Sequence, residues 1–296
     1  KFNATDRFRL KAAGGYYSQN LISASSDRDV VNLFYGFLSG PDNLPDTFNG
    51  EEITDKLQKA GHAIMGAELD LSRNLTLNVE VYYKDFSQLT NINRNKMFED
   101  TETFADQPDE LKKDYIIETG DAKGLDISLK YDQGRFYFWG VYSLTFVNRF
   151  DGTQTYSPHF DRRHNVNLVA SLILGPGRNL ELSSRWNLGS GFPFTQSQGY
   201  FEKIVFPQGV YSDPASLSGG LGIVYGELNT GRLPVYHRLD VNIKRKFELS
   251  SHTILEINAG ATNIYDRNNV FYFDRIKFER VDQLPFMYSL GVTLSF

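Results

Sequence analysis

The strongest constraint on this chain is a two-residue alternation of apolar and polar side chains. It returns in segments of about ten residues, with full charges on the polar side of nearly every segment. A period of two is the signature of strands, whose successive side chains point to opposite faces. Leu75, Leu77, Val79, Val81 and Tyr83 share one face, and Asn74, Thr76, Asn78, Glu80, Tyr82 and Lys84 share the other. The unit recurs as Leu125, Ile127, Leu129 and Tyr131 against Gly124, Asp126, Ser128 and Lys130. It recurs again as Val166, Leu168, Ala170, Leu172 and Leu174 against Arg163, Asn165, Asn167 and Ser171. Leu180, Leu182, Trp186 and Leu188 oppose Glu181 and Arg185, and Leu239, Val241 and Ile243 oppose Arg238, Asp240 and Lys244. Soluble β-sandwiches and propellers alternate too, but so many charges exceed what a small packed interior can hold. The apolar face is therefore expected outside, and the charged face inside.

The spacing predicts about ten strands, opening with Phe8, Leu10, Ala12 and Tyr16 and closing with Tyr288, Leu290, Val292, Leu294 and Phe296. Turns after the even strands are short: Ser72-Arg73, Asp132-Gln133-Gly134, Gly175-Pro176-Gly177-Arg178 and Ser250-Ser251. Connections after the odd strands are long, the largest at about 19–61, 89–118 and 191–233, and compact soluble domains seldom carry such loops on every connection at one end. Short turns at one end and long loops at the other are the layout of an outer-membrane barrel, with periplasmic turns and extracellular loops. On this reading Leu77, Val79, Leu168, Leu172, Leu239, Val241, Leu290 and Val292 meet lipid. Glu80, Asp126, Lys130, Arg163, Glu181, Arg185, Arg238 and Asp240 face the lumen.

Composition removes other classes. With 31 Lys+Arg against 36 Asp+Glu, the net charge of −5 argues against a nucleic-acid partner, which would need a basic face. The absence of cysteine excludes disulfides, thiolate metal sites and cysteine nucleophiles. No run approaches the roughly 18 apolar residues of a membrane-spanning helix. His159, Asp161 and His164 contain the residue types of a general base and its orienting carboxylate, and are read as rim hydrogen-bonders or lumen lining. Glu99, Asp100, Glu102, Asp106, Asp109, Glu110 and Asp114 are read as a solvated loop and not a cation site. Asn3-Ala4-Thr5 and Asn74-Leu75-Thr76 match the glycosylation pattern, the second discounted as lying in a strand. Gly219, Gly220 and Gly222 suggest a mobile segment, with Phe192, Phe194, Tyr200, Phe201, Phe206 and Tyr211 as contact residues.

Six short stretches, in order, carry a resemblance: Glu80-Val81-Tyr82-Tyr83-Lys84, Phe160-Asp161-Arg162-Arg163-His164-Asn165, Ser190-Gly191-Phe192-Pro193, Tyr236-His237-Arg238-Leu239-Asp240, Asn263-Ile264-Tyr265-Asp266-Arg267-Asn268-Asn269, and Gln283-Leu284-Pro285 followed by Ser289-Leu290-Gly291. Together they resemble the C-terminal half of TonB-dependent outer-membrane receptors over nearly the whole chain. The resemblance implies a 22-stranded barrel plugged by an N-terminal domain, with residues 1–296 supplying the C-terminal portion and the plug, its TonB contact and the earlier strands lying outside this chain. It also implies a Gram-negative outer-membrane address, energy-coupled uptake of a nutrient of unspecified identity, no cofactor and no catalytic group. The implied partners are lipid, the rest of the barrel, the TonB complex through the plug, and the insertion machinery. That machinery would recognise the terminal strand Tyr288, Leu290, Val292, Leu294 and Phe296. The alternatives are a self-contained ten-stranded barrel acting as a passive pore or scaffold, or a protease of the omptin type.

Overall fold

The alternation becomes sheet register. The computed structural model describes residues 1–24, 36–39, 44–202, 220–250, 252–274, 277 and 279–296. Its dominant element is a twelve-stranded sheet, antiparallel at every pairing. Two of the twelve are the two-residue segments Phe2–Asn3 and Thr155–Tyr156, so ten long strands remain, as the spacing predicts. They are β1 (Phe8–Gln19), β2 (Gln58–Ser72), β3 (Leu75–Ile92), β4 (Tyr115–Gln133) and β5 (Phe136–Phe150), then β6 (His164–Leu174), β7 (Leu180–Gly189), β8 (Tyr236–Ser250), β9 (Thr253–Thr262) and β10 (Met287–Ser295). Each pairs with its neighbours in sequence, so the sheet is a simple meander. No helix among the described residues is long and apolar enough to cross a membrane.

The connections at one end are residues 73–74, 134–135, 175–179 and 251–252, and those at the other are 20–57, 93–114, 151–163, 190–235 and 263–286. The first hairpin turn is Arg73-Asn74, one residue later than expected. Asn74, discounted as a strand residue, thus sits in the turn, where its side-chain amide donates to the Asp132 carbonyl. Gly134 makes the next tight turn at φ +58°, a conformation costly for any residue with a Cβ.

Strands β3 and β4 run further toward the long-loop end than the alternation suggests, reaching Ile92 and starting at Tyr115. Along these extensions Leu89, Thr90 and Asn91, and opposite them Ile116, Ile117 and Glu118, are buried consecutively. Both faces are covered there, so the period-two signal vanishes although the ladder continues past an irregularity between Phe86 and Leu89. Lower down, Gly124 of β4 lets Tyr82 reach across it to Thr145 Oγ1 of β5 at 3.0 Å. A Cβ at Gly124 would lie 2.4 Å from the Tyr82 hydroxyl.

The outer strands differ from the inner ones. Every residue of β10 is exposed and β1 is largely so, and β10 pairs with β9 alone. Strands β1 and β10 do not pair with each other, so the ten strands do not close on themselves. A self-contained ten-stranded barrel is therefore not the arrangement found.

Candidate functional site

Cross-strand partners share a face, so the register sorts the charged side chains without reference to their rotamers. Glu80 lies opposite Asp126, Lys130 opposite Thr76, Glu181 opposite Lys244, Arg185 opposite Asp240, and Arg238 opposite Asn187. Followed through β3 to β8, these positions fall on one face. Leu77, Val79, Leu168, Leu172, Leu239, Val241, Leu290 and Val292 fall on the other. Much of the charged face is internally paired: Lys244 meets Glu181 at 2.9 Å, Arg238 meets Asp240 at 2.9 Å, and Arg9 and Lys11 of β1 meet Asp70 and Glu68 of β2 at 2.6 and 2.5 Å. The side chains of Asp126 and Arg185 have no hydrogen-bond or ion-pair partner among the described residues, and Asp126 sits directly across from another carboxylate. Like charges so placed oppose each other unless a further group lies between them.

Arg163 differs from the other seven. It precedes β6, meets Asp161 at 3.0 Å and holds its guanidinium 4.5 Å from the centre of the Phe146 ring, whose register position belongs to the apolar face.

At the long-loop end, two buried carboxylates organise the connections. Glu118 is wholly buried. It accepts the Tyr156 hydroxyl at 2.7 Å and meets Arg94 at 3.2 Å and Arg149 at 3.3 Å. Arg94, its side chain 3% exposed, also reaches Asp151 at 2.7 Å, and thereby ties loop 93–114 to loop 151–163. Burial alone would push Asp151 up, but the N–H groups of Gln154 and Thr153, the Thr153 hydroxyl and Arg94 together hold it below the usual carboxylate range. Asp161, equally buried, accepts the Val147 N–H at 3.1 Å on one oxygen. On the other it accepts Arg163 and, at 2.7 Å, Arg232. Arg232 also donates to the Asp161 carbonyl at 2.7 Å, which joins loop 190–235 to loop 151–163.

The stretches that carry the resemblance assemble here. The His164 N–H donates to Ser190 Oγ at 3.0 Å, and Leu233 N donates to the Phe192 carbonyl at 2.9 Å. Asn263 is fully buried in the left-handed region at φ +52°. Its side-chain amide donates to the carbonyls of Arg267 and Leu284, and its backbone N–H donates to Asp240. The Asn269 side chain brackets the His237 backbone, its Oδ1 accepting the His237 N–H and its Nδ2 donating to the His237 carbonyl. Residues distant in sequence thus fix how the loops 93–114, 151–163, 190–235 and 263–286 leave the sheet.

The Asp161 carboxylate is occupied by arginines and a backbone amide, and His164 Nδ1 lies 2.9 Å from the Tyr142 hydroxyl. These partners are those of rim hydrogen-bonders. The acidic run is threaded with lysines: Lys96 meets Glu99 and Asp114, Lys112 meets Asp109, and Lys113 meets Asp100. No metal-holding cluster occurs among the described residues. Tyr200 and Phe201 lie on a short strand, Ser197–Glu202, paired with Leu221–Tyr225, which contains Gly222. Gly219, Phe206 and Tyr211 lie outside the described residues. Sequence reasoning missed Glu118, Arg94 and Arg232, whose only trace is a charge inside a stretch where alternation has lapsed.

An open antiparallel meander with an apolar face, a charged face and all its long connections at one end is part of the wall of a transmembrane β-barrel. No protein-family model matches the chain, and no curated protein sequence does. Among solved structures it is similar to Fiu, the ferric-catecholate import receptor of Escherichia coli K12, at 12% identity and a TM-score of 0.54, over 99% of this chain and 34% of that one. It is similar to BauA, the ferric preacinetobactin receptor of Acinetobacter baumannii, at 14% identity and a TM-score of 0.55, over 99% and 35%. The copper transporter OprC matches at 13% identity and a TM-score of 0.54, over 99% and 38%. The chain thus has the fold of the barrel wall of such receptors along nearly its whole length, and it spans about a third of the length of those proteins.

Proposed function

We propose that this chain is the C-terminal portion of the barrel of a TonB-dependent outer-membrane receptor, and that the complete protein imports a scarce nutrient by energy-coupled transport. The observation that carries the reading is the open-edged meander itself, which superposes along 99% of its length on receptors about three times as long. Backbone groups at a bare sheet edge cannot stay unpaired in lipid, so β1 and β10 call for the neighbours that the rest of such a barrel supplies. Glu80, Asp126, Lys130, Glu181, Arg185, Arg238 and Asp240 line the lumen and hold a plug domain. The unpartnered Asp126 and Arg185 await a cation and an anion from that plug, while Arg163 serves as a rim pin. The long loops contribute to nutrient capture, and the exposed apolar positions of β10, ending at Phe296, carry the insertion signal.

The neighbours include ferric-chelate receptors and a copper transporter, so iron and copper are the first cargoes to test. Accumulation of both metals should be compared in cells with and without the full reading frame, before and after collapse of the proton-motive force. Gene-dependent uptake that stops on de-energisation is expected. Gene-dependent uptake that continues would identify a passive pore instead.

A further inference from the structure

One arginine at the long-loop end is built differently from the rest. Arg94, Arg149, Arg163, Arg232, Arg267 and Arg280 each donate to a carboxylate or a backbone carbonyl. Arg162 donates to no oxygen among the described residues, and its Nε is fully enclosed without a partner. Its neighbours are rings: the guanidinium carbon lies 4.1 Å from the centre of Phe192 and 5.5 Å from that of Tyr236. The nearby carboxylate cannot serve it, because Asp161 is already shared by Arg163, Arg232 and the Val147 amide. Two guanidinium groups therefore already share that one carboxylate, and Arg162 is left without a counter-charge from it.

Arg162 also borders a cavity of about 280 Å³. Phe160, Phe192, Tyr236 and Phe271 supply aromatic walls, and His159 and Gln283 supply polar edges. A guanidinium stacked on rings keeps its faces covered and offers its in-plane N–H edge, the geometry that grips a carboxylate with two parallel hydrogen bonds. Burial without an acceptor disfavours the charge, and it lowers the affinity of Arg162 for its proton. A charged donor kept at that cost, beside an apolar cavity, has the make-up of a ligand site.

We propose that this cavity binds a small carboxylate-bearing molecule, the carboxylate on Arg162 and the body of the ligand against Phe192, Tyr236 and Phe271. The assignment deepens the import reading and rests on it for the extracellular placement of these loops, but binding itself requires no energy coupling.

The test uses the purified full-length protein and benzoate as probe, with benzamide as its uncharged counterpart, read by saturation-transfer NMR titration. Benzoate should bind at least tenfold more tightly than benzamide. Arg162→Gln should abolish that preference, and Arg162→Lys should restore part of it. Gly189→Ala gives a second route that keeps the charge, since a Cβ there would lie 2.4 Å from an Arg162 nitrogen and displace the guanidinium. Arg178→Gln, in a short turn at the opposite end, should leave the preference unchanged. Heat-modifiable mobility on gels reports whether each variant is folded. Equal binding of benzoate and benzamide, or a preference that survives Arg162→Gln in folded protein, overturns the proposal. Benzoate binding without gene-dependent metal uptake would leave the site standing and overturn iron and copper alone as the cargo.

Discussion

Replacing Glu118 with glutamine keeps the volume and removes the charge on which two loops converge. In the wild-type protein this carboxylate answers Arg94 at 3.2 Å, Arg149 at 3.3 Å and the Tyr156 hydroxyl at 2.7 Å, with no solvent exposure. Breaking a buried pair by neutralising one partner costs about 3–5 kcal/mol. Arg94 keeps Asp151 at 2.7 Å, and Arg149 is partly exposed, so the lower end applies, about 3 kcal/mol. If that energy acts on local opening, the amides of residues 91–95 and 151–156 should exchange about a hundredfold faster than in wild type. Exchange in the core of β6 and β7 should not change. Tyr156→Phe, which removes one hydrogen bond, should accelerate the same amides only about fivefold, in line with about 1 kcal/mol. Hydrogen exchange read by mass spectrometry on full-length protein in outer-membrane vesicles separates these outcomes. Unchanged protection in Glu118→Gln would mean that the buried cluster does not hold the loops, and the argument from its geometry would fail.

Arginine placed at Leu168 or Val241, on the apolar face, should destabilise the inserted protein by about 2–4 kcal/mol near the membrane midplane, whereas arginine at Asn167 or Asn242 should do little; urea titrations of vesicle-embedded protein would expose equal costs if the faces are misassigned. Deleting Phe296 should lower the amount of full-length protein recovered in the outer membrane, with Ser295→Ala as a near-silent control, and an unchanged insertion rate and yield would refute the terminal-signal reading. Because Asp151 is held below the ordinary aspartate value of 3.8, its contribution to loop docking is complete above that pH and is lost as pH falls through its lowered value. Pepsin cleavage within 93–114 should therefore rise between about pH 4 and pH 2 in wild type, and should already be high at pH 4 in Asp151→Asn.

The sequence by itself determined the wall. Alternation at Leu75–Tyr83, Leu125–Tyr131 and Leu239–Ile243 set strand, face and approximate register, because a strand with one apolar and one charged face tolerates no one-residue slip. Short turns such as Gly175–Arg178 set the antiparallel order, and the count of long strands followed. Three-dimensional structure decided what period two cannot encode. It carried β3 and β4 beyond the alternating zone, where burial on both faces erases the pattern, and it set Arg163, just ahead of β6, against Asp161 and the Phe146 ring. It also brought Asp161 to Arg232, Glu118 to Arg94 and Arg162 to Phe192, pairs tens of residues apart except where a strand doubles back. Such contacts depend on how loops cross at the rim, and local propensity holds no information about those crossings. The open edges belong to the same category: each strand alone reads as one that has neighbours, and only the assembled sheet reveals that β1 and β10 do not find them in each other.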